Sequence, residues 1–195
     1  TKLFYAFIFT VSFFVMFQRN PEVLKHAVFW AEDGTIFYRQ LYNDGLKSFL
    51  YPYAGYLHLA PRLAMLISLP FGIINAPLIV NFIALVMRSF PALFIFSERF
   101  SFVGLPYKFF LWGYYLLVPN IGETLGNTTN IQWHLAIWLL MVLTANPPSS
   151  VLWKIHDWLV LILSGLSGPF VIFLAPLMLG KNTYNGGGGS QGCTA

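Results

Sequence analysis

The chain has 195 residues, 57% hydrophobic and 18% aromatic, and its 11 basic and 7 acidic side chains make up only 9%, against about 25% in a soluble domain. With a mean hydropathy of +0.65, this excludes an ordinary water-soluble protein and makes lipid the solvent for most of the chain. The net charge of +4 is not clustered as a nucleic-acid surface or a polybasic lipid patch would require, so no nucleic-acid partner is expected.

Six apolar segments follow one another: Leu3 to Phe17, Tyr56 to Ile74, Leu78 to Phe96, Leu105 to Pro119, Ile131 to Ala145 and Trp158 to Gly180. Each is predicted to be helical, because an open strand in hydrocarbon would leave its backbone groups unpaired. The first is followed by Gln18-Arg19-Asn20-Pro21 and no small-residue cleavage site, so it reads as a retained helix rather than a removed signal. Breaks at Asn75-Ala76-Pro77, Ser97-Glu98-Arg99, Asn120-Ile121-Gly122 and Asn146-Pro147-Pro148 carry loop and helix-start chemistry. The fold class expected is all-α: a polytopic integral membrane protein over residues 1–180, with five or six transmembrane or membrane-dipping helices. Residues 181–195, with the run Gly186 to Gly189 and the single Cys193, read as a flexible tail outside the fold. One cysteine builds no disulfide framework.

Eight of the 18 charges, Arg19, Glu22, Lys25, Glu32, Asp33, Arg39, Asp44 and Lys47, fall between the first two apolar segments, in residues 18–55. This loop is the polar centre of the chain, and its aromatic and apolar residues at helical spacing predict short interfacial helices. Its side of the membrane depends on Tyr56 to Ile74. If all six segments cross, the loop side holds seven Lys/Arg residues against two, which places it in the cytoplasm; if Tyr56 to Ile74 dips and returns, the count is five against four and decides nothing.

Trp30-Ala31-Glu32-Asp33-Gly34 is the sharpest feature. Adjacent carboxylates between aromatic residues repel one another, which raises the pKa of one and suits a proton acceptor; the competing reading is the acidic first turn of an interfacial helix. His58 and Arg62 stand where the chain re-enters the bilayer. Arg62 suits a bidentate phosphate contact there, or else snorkels to ordinary headgroups. Arg88 lies inside an apolar segment, where a cation should face protein, water or an acid, with Glu32, Asp33 and Glu123 as available partners. The polar stretch Asn120 to His134 offers Glu123, Gln132 and His134 for sugar binding, or turn and capping chemistry instead. Within it Asn127-Thr128-Thr129 matches a glycosylation acceptor. His156 and Asp157 read as markers of a membrane interface, and the four histidines show no metal-ligand spacing.

This order of features resembles the multi-spanning glycosyltransferases of the C structural type. Trp30-Ala31-Glu32-Asp33-Gly34 is similar to the acidic motif of their first outer loop, Tyr56 to Ile74 to the hydrophobic segment after it, Asn120 to Asn130 to their second polar outer loop, and Ser164 to Phe170 to a Gly-Pro break in a later span. The resemblance implies a bacterial inner-membrane enzyme that takes sugar from a polyprenyl-phosphate or similar lipid-linked donor to a glycan, lipid or protein acceptor on the extracytoplasmic side. It implies Asp33 as catalytic base with Glu32 as neighbour or substitute, His58, Arg62 or Arg88 on the carrier phosphate, and Glu123, Gln132 and His134 toward sugar or acceptor. No cofactor follows from it, and a divalent cation is left open. Other relatives have about eight or more spans, so this chain is read as an amino-terminal portion. The rival classes are a transporter or flippase, in which Arg88, His58 and Asp33 are gate or midplane residues, and a non-catalytic membrane subunit.

Overall fold

The computed structural model describes residues 2–119 and 122–177; the Gly-rich tail expected at 181–195 and the end of the last apolar segment lie outside them. Among the described residues the fold is all-helical, and no strand forms beyond one isolated bridge between Tyr53 and Tyr56. By length and composition, two helical stretches, Lys2–Arg19 and Leu59–Phe94, are apolar enough to cross a membrane.

Helix α1 (Lys2–Arg19) and helix α5 (Gly72–Phe94) run antiparallel, meeting through Phe13 on Phe82, Phe9 on Phe90 and Phe4 on Phe96. The first polar loop lies at the far end of α1. It folds as short pieces: α2 (Glu22–Lys25), a π-helical segment Asp33–Tyr38, α3 (Arg39–Asp44) and a 3-10 segment Gly45–Leu50. These match the short helices expected there.

Helix α4 (Leu59–Ser68) does not continue into α5 as one rod. Around the 3-10 turn Leu69–Phe71 the chain doubles back. Ala60 shares a cluster with Met87, and Met65 shares another with Ala76 and Val80. Thus α4 packs antiparallel along α5 as a helical hairpin. Helix α4 also leans on the end of α8 (Val151–Ser167), where Ser167 Oγ accepts the Ala60 N–H at 2.8 Å.

Helix α6 (Leu105–Leu117), opened by Pro106, returns beside α1. The Arg19 guanidinium caps it, donating to Leu116 O and Val118 O at 2.5 and 2.6 Å. Cations favour such a C-terminus because the last carbonyls lack intrahelical partners. Helices α7 (Ile131–Thr144) and α8 complete the bundle. Its largest apolar cluster gathers Ile8, Phe94, Ile95, Phe96, Leu139 and Val142 at the end opposite the polar loops. Helix α8 begins at Val151, seven residues before the apolar segment that predicted it. Ser150 Oγ accepts the Trp153 N–H at its start, and the chain breaks at Gly168-Pro169 before residues 170–177 turn helical again.

His156 and Asp157 sit inside α8, where Asp157 pairs with the buried guanidinium of Arg99 and accepts from His156 Nδ1 at 2.9 Å.

Candidate functional site

The acidic motif opens the π-helical segment, a form that is rare and often found at functional sites. Gly34 is required there: a Cβ on it would stand 2.9 Å from Cβ of Phe29. Asn81 of α5 ties the preceding strip to the bundle, its Nδ2 donating to Val23 O at 2.8 Å and Val28 O at 3.2 Å.

Asp33 is fully buried, and its partners come from the second polar loop. Thr128 N donates to Oδ2 at 2.9 Å, while Thr128 Oγ1 and Thr129 Oγ1 each donate to Oδ1 at 2.8 Å. Burial pushes the carboxyl above its ordinary range, and the threonine donors pull partly against that. The second loop is held in shape by its own amides. Asn127 Nδ2 and Asn130 Nδ2 both donate to Glu123 O, at 2.6 and 3.0 Å. Gly126, at φ +75°, lies so close to Val23 that a Cβ would come within 2.3 Å of its Cγ1. The two loops are therefore in contact at two points.

Beneath this junction Arg88 is buried on α5, near enough to feel the Asp33 charge but without an ion pair to it. Its Nη2 donates to Asn127 O at 3.0 Å, while Nε and Nη1 have no partner. Tyr115 Oη lies 2.9 Å from Arg88 O and 2.8 Å from His134 Nδ1. A phenol has one proton and a carbonyl can only accept, so Tyr115 donates to Arg88 O and His134 donates through Nδ1–H.

The remaining expected residues divide. Glu32 is half-buried beside Asp33, with an electrostatic influence on His58. His58 is buried in a left-handed conformation, φ 54°, stacked on Tyr56 with 4.3 Å between ring centroids and against Phe37. Burial, opposed by the hydrogen bond that His58 Nδ1 donates to Tyr56 O and by the Glu32 charge, pushes His58 below its ordinary pKa. Arg62 is buried too. Its Nε donates to Leu57 O at 2.8 Å and Nη2 to Tyr51 O at 2.6 Å, and the guanidinium lies 5.1 Å from the Phe37 ring. Two of its nitrogens thus fasten the loop that carries His58, while Nη1 is buried with no partner among the described residues.

Gln132 packs on Gly168, with Oε1 buried and unpartnered. The Glu123 side chain is exposed and only its carbonyl is engaged. Asn127 is buried, so the three-residue acceptor pattern it begins is a folding element and its amide is closed to glycosylation in this fold. Among the described residues no three His, Cys, Asp or Glu side chains gather to hold a metal ion. The Asp33 oxygens, moreover, are occupied by threonines, so no step below is routed through a cation.

Three groups escaped the sequence reading. Thr128 and Thr129 hold the carboxylate, and Arg39 is the exposed cation nearest it in the chain. A groove of about 740 Å³ opens between the acidic motif and the α4–α5 turn, lined by Gly34, Tyr38, Arg39, Tyr42, Leu69 and Ile73. Arg39 lies six residues after Asp33 in the chain, and that closeness was the available signal.

No family model, curated protein or solved structure matches the chain.

Proposed function

We propose that the chain is the amino-terminal portion of a membrane glycosyltransferase of the C structural type, set in the bacterial inner membrane with both polar loops on the extracytoplasmic side. In this reading α1, α5, α6, α7 and α8 cross the membrane and α4 is re-entrant. One observation carries it. The acidic motif and the second polar loop, 95 residues apart at Asp33 and Thr128, meet in one buried centre beside a groove that holds Arg39, aromatic rings and aliphatic side chains.

The chemistry follows from those groups. A lipid-linked donor needs an apolar channel for its tail and a cation for its phosphate, and the groove supplies both; Arg39 takes the role assigned earlier to Arg62 or Arg88. The Thr128 and Thr129 hydroxyls on Asp33 Oδ1 are the same functional group as an acceptor hydroxyl. When the second loop opens, an acceptor hydroxyl takes a threonine's place and gives its proton to Asp33. Its oxygen then attacks the sugar's anomeric carbon from the face opposite the phosphate. The carbon–oxygen bond to the phosphate breaks, its electron pair leaves with the phosphate, and Arg39 meets that charge while the anomeric centre inverts. A carboxyl raised by burial holds a proton better than a solvated one, which favours the base role. Glu32, half-buried alongside, is the alternative acceptor of the proton.

A transporter or flippase is the second reading, favoured by Arg88, whose Nε and Nη1 are buried without partners inside α5. Proteoliposomes carrying the protein and a panel of polyprenyl-phosphate mannose, glucose, galactose and arabinose separate the two. The glycosyltransferase reading predicts inverting transfer to a soluble glycan from at least one donor, and a donor KM raised about ten-fold or more in Arg39→Ala, the scale of one lost charge-assisted contact. Movement of a donor across the bilayer without transfer, lost in Arg88→Met, supports the transporter and rejects the enzyme.

A further inference from the structure

At the end of the bundle opposite the two loops, a second cavity of about 500 Å³ lies between α1, α5, α7 and α8. That volume is within the range of small-molecule sites. Its walls are aromatic: Tyr5, Phe90, Phe94, Trp138, Trp153 and the His156 ring. Phe90 and Trp138 are stacked at 5.4 Å, and Phe94 stands 4.8 Å from His156. Ser97 and Glu98 complete the lining.

The polar groups of this cavity can be accounted for one by one. Trp138 Nε1 can only donate, so His156 Nε2, 3.2 Å away, accepts from it and the ring proton sits on Nδ1, donated to Asp157. Both ring nitrogens of His156 are thereby engaged, and Asp157 is paired with Arg99. Trp153 Nε1 is spent on Glu98 Oε1 at 2.8 Å, which also accepts from Ser149 Oγ at 3.1 Å. Tyr5 Oη donates to Phe96 O. Two groups are left. Glu98 Oε2, in an exposed residue at the mouth of the cavity, is a charged acceptor with no ion pair among the described residues. Ser97 Oγ is buried with no partner, in a residue only 5% exposed.

A sugar ring would need more hydrogen-bonding partners than two. An anion would meet the Glu98 carboxylate. A neutral hydrocarbon would leave the buried Ser97 Oγ unpaired at a cost and gain nothing from the Glu98 charge. A cation carrying N–H groups satisfies all of these: charge for Glu98, a donated proton for Ser97, and ring faces for its polarised carbons. The same wall already tolerates a cation, since the Arg99 guanidinium lies 5.6 Å from both the Phe94 and the Trp153 rings.

We propose that this cavity binds a primary organic ammonium on an apolar body, with Glu98 Oε2 and Ser97 Oγ accepting its N–H groups. The amine can come from a lipid headgroup or from a free amine, and the ammonium chemistry is shared. This site is independent of the glycosyltransferase reading.

Calorimetric titration of the purified full chain in maltoside detergent tests the proposal, with butylammonium as probe and butanol and tetramethylammonium as comparators. Butylammonium binds saturably, butanol does not, and tetramethylammonium, which has no N–H, binds more weakly. Glu98→Gln keeps an oxygen for Trp153 and Ser149 but removes the charge, and lowers butylammonium affinity about ten- to hundred-fold. Ser97→Ala lowers it a few-fold and leaves tetramethylammonium unchanged. Asp33→Asn, at the other end of the bundle, changes nothing. Repeating the titration in nanodiscs assigns the source while supporting the class: loss of binding only in phosphatidylethanolamine points to the headgroup, and equal binding in phosphatidylglycerol and phosphatidylethanolamine to a free amine. The proposal is overturned if butanol matches butylammonium, if Glu98→Gln binds like the parent, or if no saturable binding occurs.

Discussion

Asp33 and Thr128 meet through two hydrogen bonds from one residue: the Thr128 backbone N–H reaches Oδ2 at 2.9 Å and its hydroxyl reaches Oδ1 at 2.8 Å. A threonine can grip both oxygens of a carboxylate only when its loop approaches end-on, so this pair fixes how the second polar loop sits over the first. Thr129 adds a third donor.

Replacing both threonines with valine keeps their shape and removes both hydroxyls. Hydrogen bonds to a charged group are worth about 1.5–3 kcal/mol each, and the two share one oxygen, so Thr128→Val with Thr129→Val should cost about 2–4 kcal/mol. Thermal denaturation in detergent measures this. In an Asp33→Asn background the same pair of changes should cost clearly less, because the charge they served is gone; an unchanged cost would mean that the threonines act elsewhere.

The pH dependence has a definite sign. Burial raises the Asp33 carboxyl above its ordinary value, so through the window between the unfolded and folded pKa values the folded state binds more protons than the unfolded one. Stability therefore falls as pH rises through that window and is regained on acidification toward the ordinary carboxylate range, near about 4. The melting temperature of the parent minus that of Asp33→Asn, followed from pH 4 upward, should fall with pH and then level off. A value that rises with pH would mean that the threonine bonds outweigh burial.

Gly126→Ala strains the loop twice, through the φ of +75° and through the approach to Val23. Left-handed backbone costs a non-glycine residue about 1–2 kcal/mol, and the overlap adds to it. Val23→Ala in the same chain should recover part of the loss, measured by the same melting experiment, whereas it should recover none of the loss from a change at Gly45, where a Cβ meets nothing.

At the opposite end, Arg99→Met leaves Asp157 without its cation. The pair is 2% and 20% exposed; breaking a buried pair costs about 3–5 kcal/mol, and the partial exposure of Asp157 puts this one at the lower end, about 2–3 kcal/mol. Asp157→Asn in the Arg99→Met chain should restore part of the stability in chemical denaturation.

Much of the architecture was readable because apolar runs of helix length can be buried only as helices, and α1, α6 and α7 fall within a few residues of the runs that announced them, while α5 starts at Gly72 and runs through the break expected at Asn75-Ala76-Pro77. Helix α8 started early for a tertiary reason: Lys154, His156 and Asp157 interrupt the apolar run, yet Arg99 and Trp138 partner the last two from other helices. The hairpin of α4 on α5 was not legible locally, because it is set by the packing of Ala60 and Met65 along α5. At the site, Asp33 stood out by its neighbours in the chain. Its threonine partners did not, since nothing local links positions 33 and 128. The Arg62 contacts back to Leu57 O and Tyr51 O had no local signal, because a guanidinium near a membrane entrance reads the same whichever way it reaches.

The central claim is that the buried carboxylate, and not its more exposed neighbour, accepts the proton from the incoming hydroxyl. The direct measurement is the rate of sugar transfer in proteoliposomes by the parent, Asp33→Asn and Glu32→Gln, at saturating donor. The account predicts a fall of about 10² to 10⁴-fold for Asp33→Asn, the contribution of a positioned base, with Glu32→Gln within about ten-fold of the parent. Transfer by Asp33→Asn at the parental rate would contradict it.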